Sequence, residues 1–133
     1  MFLYSLKQYD KAVVTVNECI RLNPSGQDLY LTGGILYERV GDTVSAKRYF
    51  QKSLTICNSV LDTMSNKNTD YDILVGNKAI SLIMLGHEVE ADKILKVLYD
   101  TQQDEEMKRM TLSLMTKTKK ELIGQFTDDR YSH

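Results

Sequence analysis

The stretch LTGGILYERVGDTVSAKRYF, residues 31–50, predicts two amphipathic helices joined by a tight turn. Apolar residues on both sides of the turn recur at three- and four-residue spacing, the pattern of helices with one buried face. Gly41 can adopt the left-handed conformation that commonly ends a helix, and the polar Asp42 follows it. These residues therefore predict a helical hairpin with its turn at positions 41–42.

Two adjacent glycines, Gly33 and Gly34, lie inside the first of these helices. Each interior glycine costs about 1 kcal/mol relative to alanine, and a close approach of the two helices would offset that cost. We expect Gly34 and Ala46 to be the small residues at the crossing, with Tyr37 and Phe50 filling the space beside them. Gly33 lies on another face of the helix. It either leaves room for a neighbouring repeat or a bound chain, or only lowers the stability of the helix by an amount that the fold tolerates. Replacing it by alanine is therefore expected to be mild.

The hairpin pattern occurs three times along the chain. Residues 3–24 and 82–103 both align with residues 37–58 without gaps. Self-similarity of this kind is the signature of repeat proteins, in which each unit buries its apolar face against its neighbours. One equivalent position holds the same small residue in all three copies: Ala12, Ala46 and Ala91.

This pattern resembles the tetratricopeptide repeat, whose period of about 34 residues is the distance from Ala12 to Ala46. The resemblance implies an all-α fold, a right-handed α–α superhelix of about three helical hairpins followed by a C-terminal capping helix. It also implies a protein-interaction or scaffold module rather than an enzyme. The residues at the positions of the repeat signature are Ala12, Pro24, Tyr30, Gly34, Tyr37, Gly41, Ala46, Phe50, Ala79, Leu82, Gly86 and Ala91.

The chain of 133 residues is predicted to form one domain over residues 1–126. Its parts are expected at residues 1–24, 27–60 and 72–103 for the repeats, 104–126 for the capping helix, and 127–133 for a frayed tail. Residues 1–7 would be the end of a first helix whose beginning is absent, which leaves apolar surface uncovered. We therefore expect upstream residues or a homo-oligomer formed through the N-terminal repeat. The alternative is a fragment or truncated form of a larger or membrane-tethered, lipoprotein-like assembly subunit.

The resemblance implies that the first helix of each hairpin lines a concave groove. Isoleucine and methionine on that face suit an adaptable apolar contact with a protein or peptide partner, whose identity the sequence does not give. Family members that bind the acidic C-terminus of chaperones use a clamp of Lys, Asn and Arg; Thr32 and Asn77 replace two of these, so that activity is not carried over. Alternatively, the C-terminal helix folds back and fills the groove. The residues projected onto the groove are Asp28, Leu31, Thr32, Ile35, Arg39, Ile73, Asn77, Ile80, Ile83 and Met84.

Catalytic and metal-binding patterns are sparse. The two histidines, His87 and His133, lack a recognisable nucleophile and orienting group. Residues 66–72 alternate Asn and Asp as a calcium loop does, but Tyr71 and Asn77 stand where glycine and glutamate are required. We expect no enzymatic activity, no cofactor and no metal.

The charge and hydropathy patterns limit the classes of partner. A formal net charge of −1 gives no field that attracts nucleic acid or an anionic membrane, and the basic residues at 117–120 lack interleaved aromatics. No apolar run is long enough for a membrane span. A cytoplasmic location is favoured, or an envelope or periplasmic one if an upstream signal has been lost. Cys19 and Cys57 fall at apolar-periodic positions and are expected to be small buried residues.

Overall fold

The computed structural model describes the backbone of residues 2–128 and the side chains of residues 8–127. This part of the chain is entirely helical and contains no β-strand. Its helices are α1 (Phe2–Leu22), α2 (Gln27–Arg39), α3 (Thr43–Leu61), α4 (Tyr71–Met84), α5 (Glu88–Thr101), α6 (Glu105–Thr116) and α7 (Lys119–Asp128).

From α1 to α6 each helix packs against the next one along the chain. The exception to this sequential order is α7, which returns to pack against α2, and α2 also touches α4. One apolar cluster runs through α2, α3, α4, α5, α6 and α7. The all-helical prediction is confirmed, and the packing is consistent with a helical bundle or a helical repeat.

The two predicted hairpin turns end α2 and α4 in the same way. Gly41 and Gly86 have φ of +89° and +86°, the left-handed region that favours glycine. At the end of α2, the Asp42 N–H donates to the Tyr37 carbonyl at 2.9 Å, and the equivalent bond at the end of α4 is 2.8 Å. These bonds satisfy carbonyls that a helix end otherwise leaves unpaired, as in the Schellman motif.

The close approach of α2 and α3 occurs at Gly34. A Cβ on Gly34 would lie 2.6 Å from Cε1 of Phe50, so only glycine fits without movement of the ring. Phe50 and Ala46 are both almost completely buried. The nearest atoms to Gly34 therefore belong to Phe50 rather than to Ala46, the expected partner.

Gly33 faces two helices at once. A Cβ at this position would lie 2.7 Å from Cδ2 of Tyr49 on α3 and 3.3 Å from Cγ1 of Val16 on α1. The Tyr49 ring is itself packed edge-on against Tyr30 and Tyr37, with centroid distances of 5.5 and 5.0 Å. The added methyl group of Gly33→Ala would therefore meet a ring held on two sides, and we now expect this substitution to carry a larger cost than the sequence suggested.

The expected division of the first repeat is not observed. Instead of a short helix over residues 1–7 and a second one after it, α1 runs without interruption from Phe2 to Leu22. The physical reason is that Lys7 and Gln8 stand where the second copy has Gly41 and Asp42. Neither residue favours the left-handed conformation that ends α2.

The predicted single capping helix is divided into α6 and α7. Lys117 has extended backbone with ψ of 150°, which ends α6, and Thr118 begins the next helix through a capping box. The Thr118 N–H donates to a Glu121 carboxylate oxygen at 2.9 Å, and the Glu121 N–H donates to the Thr118 hydroxyl at 3.2 Å. Thr127, from which a frayed tail was expected, is instead a buried residue of α7. Residues 129–133, which include His133, lie outside the described residues.

The two cysteines differ in burial. Cys57 is fully buried, as expected, and burial raises the pKa of its thiol to about 11. Cys19 is exposed, so the expectation that it is buried is wrong. It lies on a part of α1 that no later helix of the described chain covers.

Across the same described residues, none of the helices has both the length and the apolar character needed to cross a membrane.

Candidate interaction groove

The candidate site is the surface that α2 and α4 form together, here called the α2/α4 groove. Leu31 and Ile35 of α2 and Ile83 and Met84 of α4 are its buried apolar residues, and all belong to one apolar cluster. Leu31 and Ile35 lie one turn apart on α2 and therefore share a side, whereas Ile83 and Met84 are consecutive residues at the end of α4. These four residues were among those projected onto the groove from the sequence.

The helix α7 lies in the α2/α4 groove. Its residue Leu122 is 0% exposed, and Ile123 and Phe126 pack against the same apolar cluster. This i, i+1, i+4 spacing forms one apolar side of a helix, while Lys120 and Glu121 on the other side are exposed. The C-terminal segment of the described chain is therefore the occupant of this groove in the structure.

A charged contact fixes the start of α7. Lys119 Nζ lies 2.6 Å from Glu38 Oε2 of α2 and donates a hydrogen bond to the Met84 carbonyl of α4 at 2.9 Å. The Glu38 side chain is only 9% exposed, whereas that of Lys119 is 38% exposed. Because a buried carboxylate needs a partner, this ion pair matters more than one on the open surface.

The other end of α7 meets α1. The Tyr9 hydroxyl donates to the Thr127 carbonyl at 3.3 Å, and the Arg39 guanidinium carbon lies 5.3 Å from the centre of the Tyr9 ring. Between α1, α2, α4 and α7 remains a mainly apolar cavity of about 220 Å³. Its lining residues are Tyr9, Leu31, Thr32, Ile35, Leu36, Ile80, Phe126 and Thr127.

The remaining residues projected onto the groove have different surroundings. Thr32 and Ile80 are half-buried and line the cavity. Asp28 and Ile73 are exposed, and Ile73 retains 52% of its accessible surface. Asn77 faces α2 and takes part in a polar contact within the protein. The structure thus brings the inner part of the predicted groove together under α7 and leaves its outer rim in contact with solvent.

Polar side chains connect α2, α3 and α4 beside the groove. The Asn77 amide donates to Gln27 Oε1 at 3.2 Å, and the same oxygen accepts a bond from the Cys57 thiol at 3.4 Å. Deeper in the fold, the Ser81 hydroxyl donates to the Ser53 hydroxyl at 3.2 Å, and both serines are fully buried. These bonds supply partners to polar groups that would otherwise be costly to bury.

A second polar cluster joins α1, α2 and α3 near Gly33. The Tyr49 hydroxyl donates to the Asn17 side-chain oxygen, and the Asn17 amide donates to the Tyr37 hydroxyl at 3.0 Å. Burial, followed by the hydrogen bond with Tyr37, raises the pKa of Tyr49 to about 12. The Tyr49 hydroxyl acts as a structural donor in this cluster.

Several residues that build the site were missed by sequence reasoning. Glu38 and Lys119 form its charged contact, yet they lie far apart in the chain and share no motif. The capping box that starts α7 did have a signal, the sequence TKKE at positions 118–121. That signal was hidden by apolar spacing that continues from α6 into α7.

The residues that the sequence offered for catalysis or metal binding do not come together in the described part of the structure. His87 is the N-terminal flanking residue of α5, and its side chain makes no capping bond there. Among the described residues, no three His, Cys, Asp or Glu side chains are grouped closely enough to hold a metal ion. The absence of enzymatic activity, cofactor and nucleic-acid binding stays a prediction from the sequence.

No protein-family model matches the chain, and no curated protein or solved structure is significantly similar to it.

Proposed function

We propose that the chain is a non-enzymatic, tetratricopeptide-like interaction module that holds a helix of a partner protein in the α2/α4 groove. The equivalence of its two central hairpins supports this proposal. Helices α2 and α4 end in the same glycine motif, and Ala46 and Ala91 are both buried at equivalent positions. The proposed finer architecture is a right-handed superhelix in which α2 and α4 line the concave side.

The observation that carries the proposal is the seating of α7. A groove that binds a helix needs an apolar floor and a few polar contacts that fix orientation. The α2/α4 groove supplies both, because it buries Leu122 of α7 and pairs Glu38 with Lys119. A partner helix of similar character can use the same contacts.

A second candidate is a part of a larger or membrane-tethered assembly subunit in which α7 permanently fills the groove. The complete burial of Leu122 favours this candidate, because a fully buried leucine contributes to the stability of the folded chain. Self-association through the N-terminal repeat also stays a prediction. Val14 and Leu22 of α1 are 70% and 71% exposed, which leaves apolar surface at this end of the stack.

A selection from a displayed library of amphipathic helical peptides tests the proposed function. The intact chain is expected to enrich peptides whose binding is lost in Thr32→Arg, since Thr32 lines the cavity beside the groove. Lys52→Glu is the matched control, because Lys52 is exposed on α3 and lines none of the cavities described. Enriched peptides that bind Thr32→Arg as well as the unmodified chain, with both proteins folded, would place binding elsewhere.

A further inference from the structure

The end of the α2/α4 groove next to Lys119 requires a cation. Glu38 lies in the last turn of α2, and Met84 is the last residue of α4. Helix C-termini carry partial negative charge, and their final carbonyls have no partner within the helix. Two such ends therefore meet the carboxylate of Glu38, whose side chain is 9% exposed. An occupant without a positive charge here would lose the ion pair that Lys119 makes with this carboxylate.

The position of Lys119 serves the groove rather than α7 itself. Lys119 is the first residue of α7, where the positive end of the helix dipole disfavours a cation. The start of α7 is stabilised independently by the capping box of Thr118 and Glu121. The need for a cation is thus a property of α2 and α4, and it applies to any helix that lies in the groove.

The fit of α7 at its other end is incomplete. The cavity beside Phe126 has a volume of about 220 Å³ and is partly open to solvent. A helix that carried a larger apolar side chain at the position of Phe126 would fill more of this space.

The attachment of α7 to the rest of the chain allows it to open separately. Residues 117–118 are not helical, and α7 has only 10 residues, with Gly124 in its interior. Helices of this length are marginal on their own, and an interior glycine weakens them further. Segments with few packed neighbours open at a lower free energy than the core, and α2 is the main contact of α7.

We propose that α7 is a replaceable occupant of the α2/α4 groove and that the partner which replaces it is an amphipathic helix of another protein. That helix carries a lysine or arginine one turn before an apolar i, i+1, i+4 set, and its last apolar residue is larger than phenylalanine. This inference rests on the proposed function and adds the chemistry of the partner. In the absence of the partner, α7 keeps the apolar floor and Glu38 covered.

The test uses the full chain with Leu122→Glu, which detaches α7, and a fluorescent peptide of residues 118–128 as the probe. We expect saturable binding to this variant and at least tenfold weaker binding to the unmodified chain. A peptide with Lys119→Glu should bind at least tenfold more weakly, whereas the control peptide with Lys120→Glu should lose much less affinity, because Lys120 is exposed and Lys119 is the residue that pairs with Glu38. A peptide with Phe126→Trp should bind several-fold more tightly.

Absence of binding to a folded Leu122→Glu chain, or equal binding of the two charge-reversed peptides, would overturn the proposal. If this variant does not fold, hydrogen exchange on the unmodified chain decides: α7 amides should exchange by local opening, more readily than those of α2. If the α7 amides exchanged only by global unfolding, α7 would be a permanent part of the core, and the proposal would be overturned. A dimer of the intact chain with exchanged α7 helices would make a second copy the occupant and would also overturn the proposal. Library peptides that bind the groove without a cation would contradict this inference alone and leave the proposed function standing.

Discussion

Gly33 lies directly against the ring of Tyr49, so that a Cβ at position 33 would be 2.7 Å from Tyr49 Cδ2. Contacts this short require one of the two groups to move. The ring has little freedom to do so, because its hydroxyl is bonded to Asn17 and its edges meet two other tyrosines. The glycine is therefore a packing requirement of the junction between α1, α2 and α3.

The first prediction compares two helical glycines. Gly33→Ala should destabilise the chain by about 1–3 kcal/mol through overpacking, an effect larger than the gain in helix propensity. Gly76→Ala is the matched control, since Gly76 is also inside a helix but has no atom within 4 Å of the added Cβ. It should stabilise by about 0.5–1 kcal/mol. Urea unfolding measures the free energy of unfolding of both variants. If the Gly33→Ala chain were as stable as the Gly76→Ala chain, Gly33 would not be packed against Tyr49.

The second prediction concerns the crossing of α2 and α3. Gly34→Ala should cost about 1–3 kcal/mol, because the new methyl group lies 2.6 Å from the Phe50 ring. Phe50→Leu shortens that side chain and should relieve the contact. The double variant is therefore expected to be more stable than the sum of the single effects, by about 0.5–3 kcal/mol in a double-mutant cycle. Additive effects would mean that the two residues do not meet.

The hairpin turns were predictable from the sequence because their cause is local. Gly41 and Gly86 each follow a run of helical spacing, and the left-handed cap needs nothing beyond the neighbouring turn. The role of Gly33 was not predictable in this way. It depends on Val16 and Tyr49 from two other helices, and the periodicity of one helix does not specify which side chains another helix brings.

The occupant of the groove was only partly predictable. The apolar face of α2 and α4 followed from helical spacing, and a fold-back of the C-terminal segment was one of two alternatives. The pairing of Glu38 with Lys119 could not be deduced, because it joins residues that become neighbours only when α7 is placed. The start of α7 could have been found, since Thr118 and Glu121 have the spacing of a capping box.

The third prediction tests that capping box. Thr118→Ala removes the hydroxyl that accepts the Glu121 N–H and should cost about 1 kcal/mol. Thr116→Ala is the control, because Thr116 is equally exposed but lies in the last turn of α6 and bonds only to the Leu112 carbonyl. Hydrogen exchange should show faster opening of α7 in the first variant alone. Equal exchange in both would mean that the box does not stabilise α7.

The fourth prediction concerns acid. The Thr118 N–H, followed by the Thr118 hydroxyl, holds the pKa of the Glu121 carboxyl below its usual value. Because the folded pKa is lower than the unfolded value of about 4.3, this contribution is present above that pH and is lost as the pH falls through the folded pKa. Protection of α7 amides relative to α2 amides should therefore decrease on acidification below about pH 4. In Glu121→Gln this relative change should disappear, and its persistence would assign the effect to another group.

The last prediction separates two isoleucines that the sequence projected onto the same face. Ile80 lines the cavity beneath α7 and packs against the apolar cluster, whereas Ile73, at the start of the same helix, is 52% exposed. Ile80→Glu would place a carboxylate against Phe126 without a cation, so it should cost about 1–3 kcal/mol or more. Ile73→Glu should change stability by less than about 0.5 kcal/mol, as surface substitutions usually do. Thermal unfolding of the two variants tests this difference. The comparison is matched, because both variants introduce the same side chain in the same helix. Equal melting temperatures would show that α7 does not cover this part of the groove in solution.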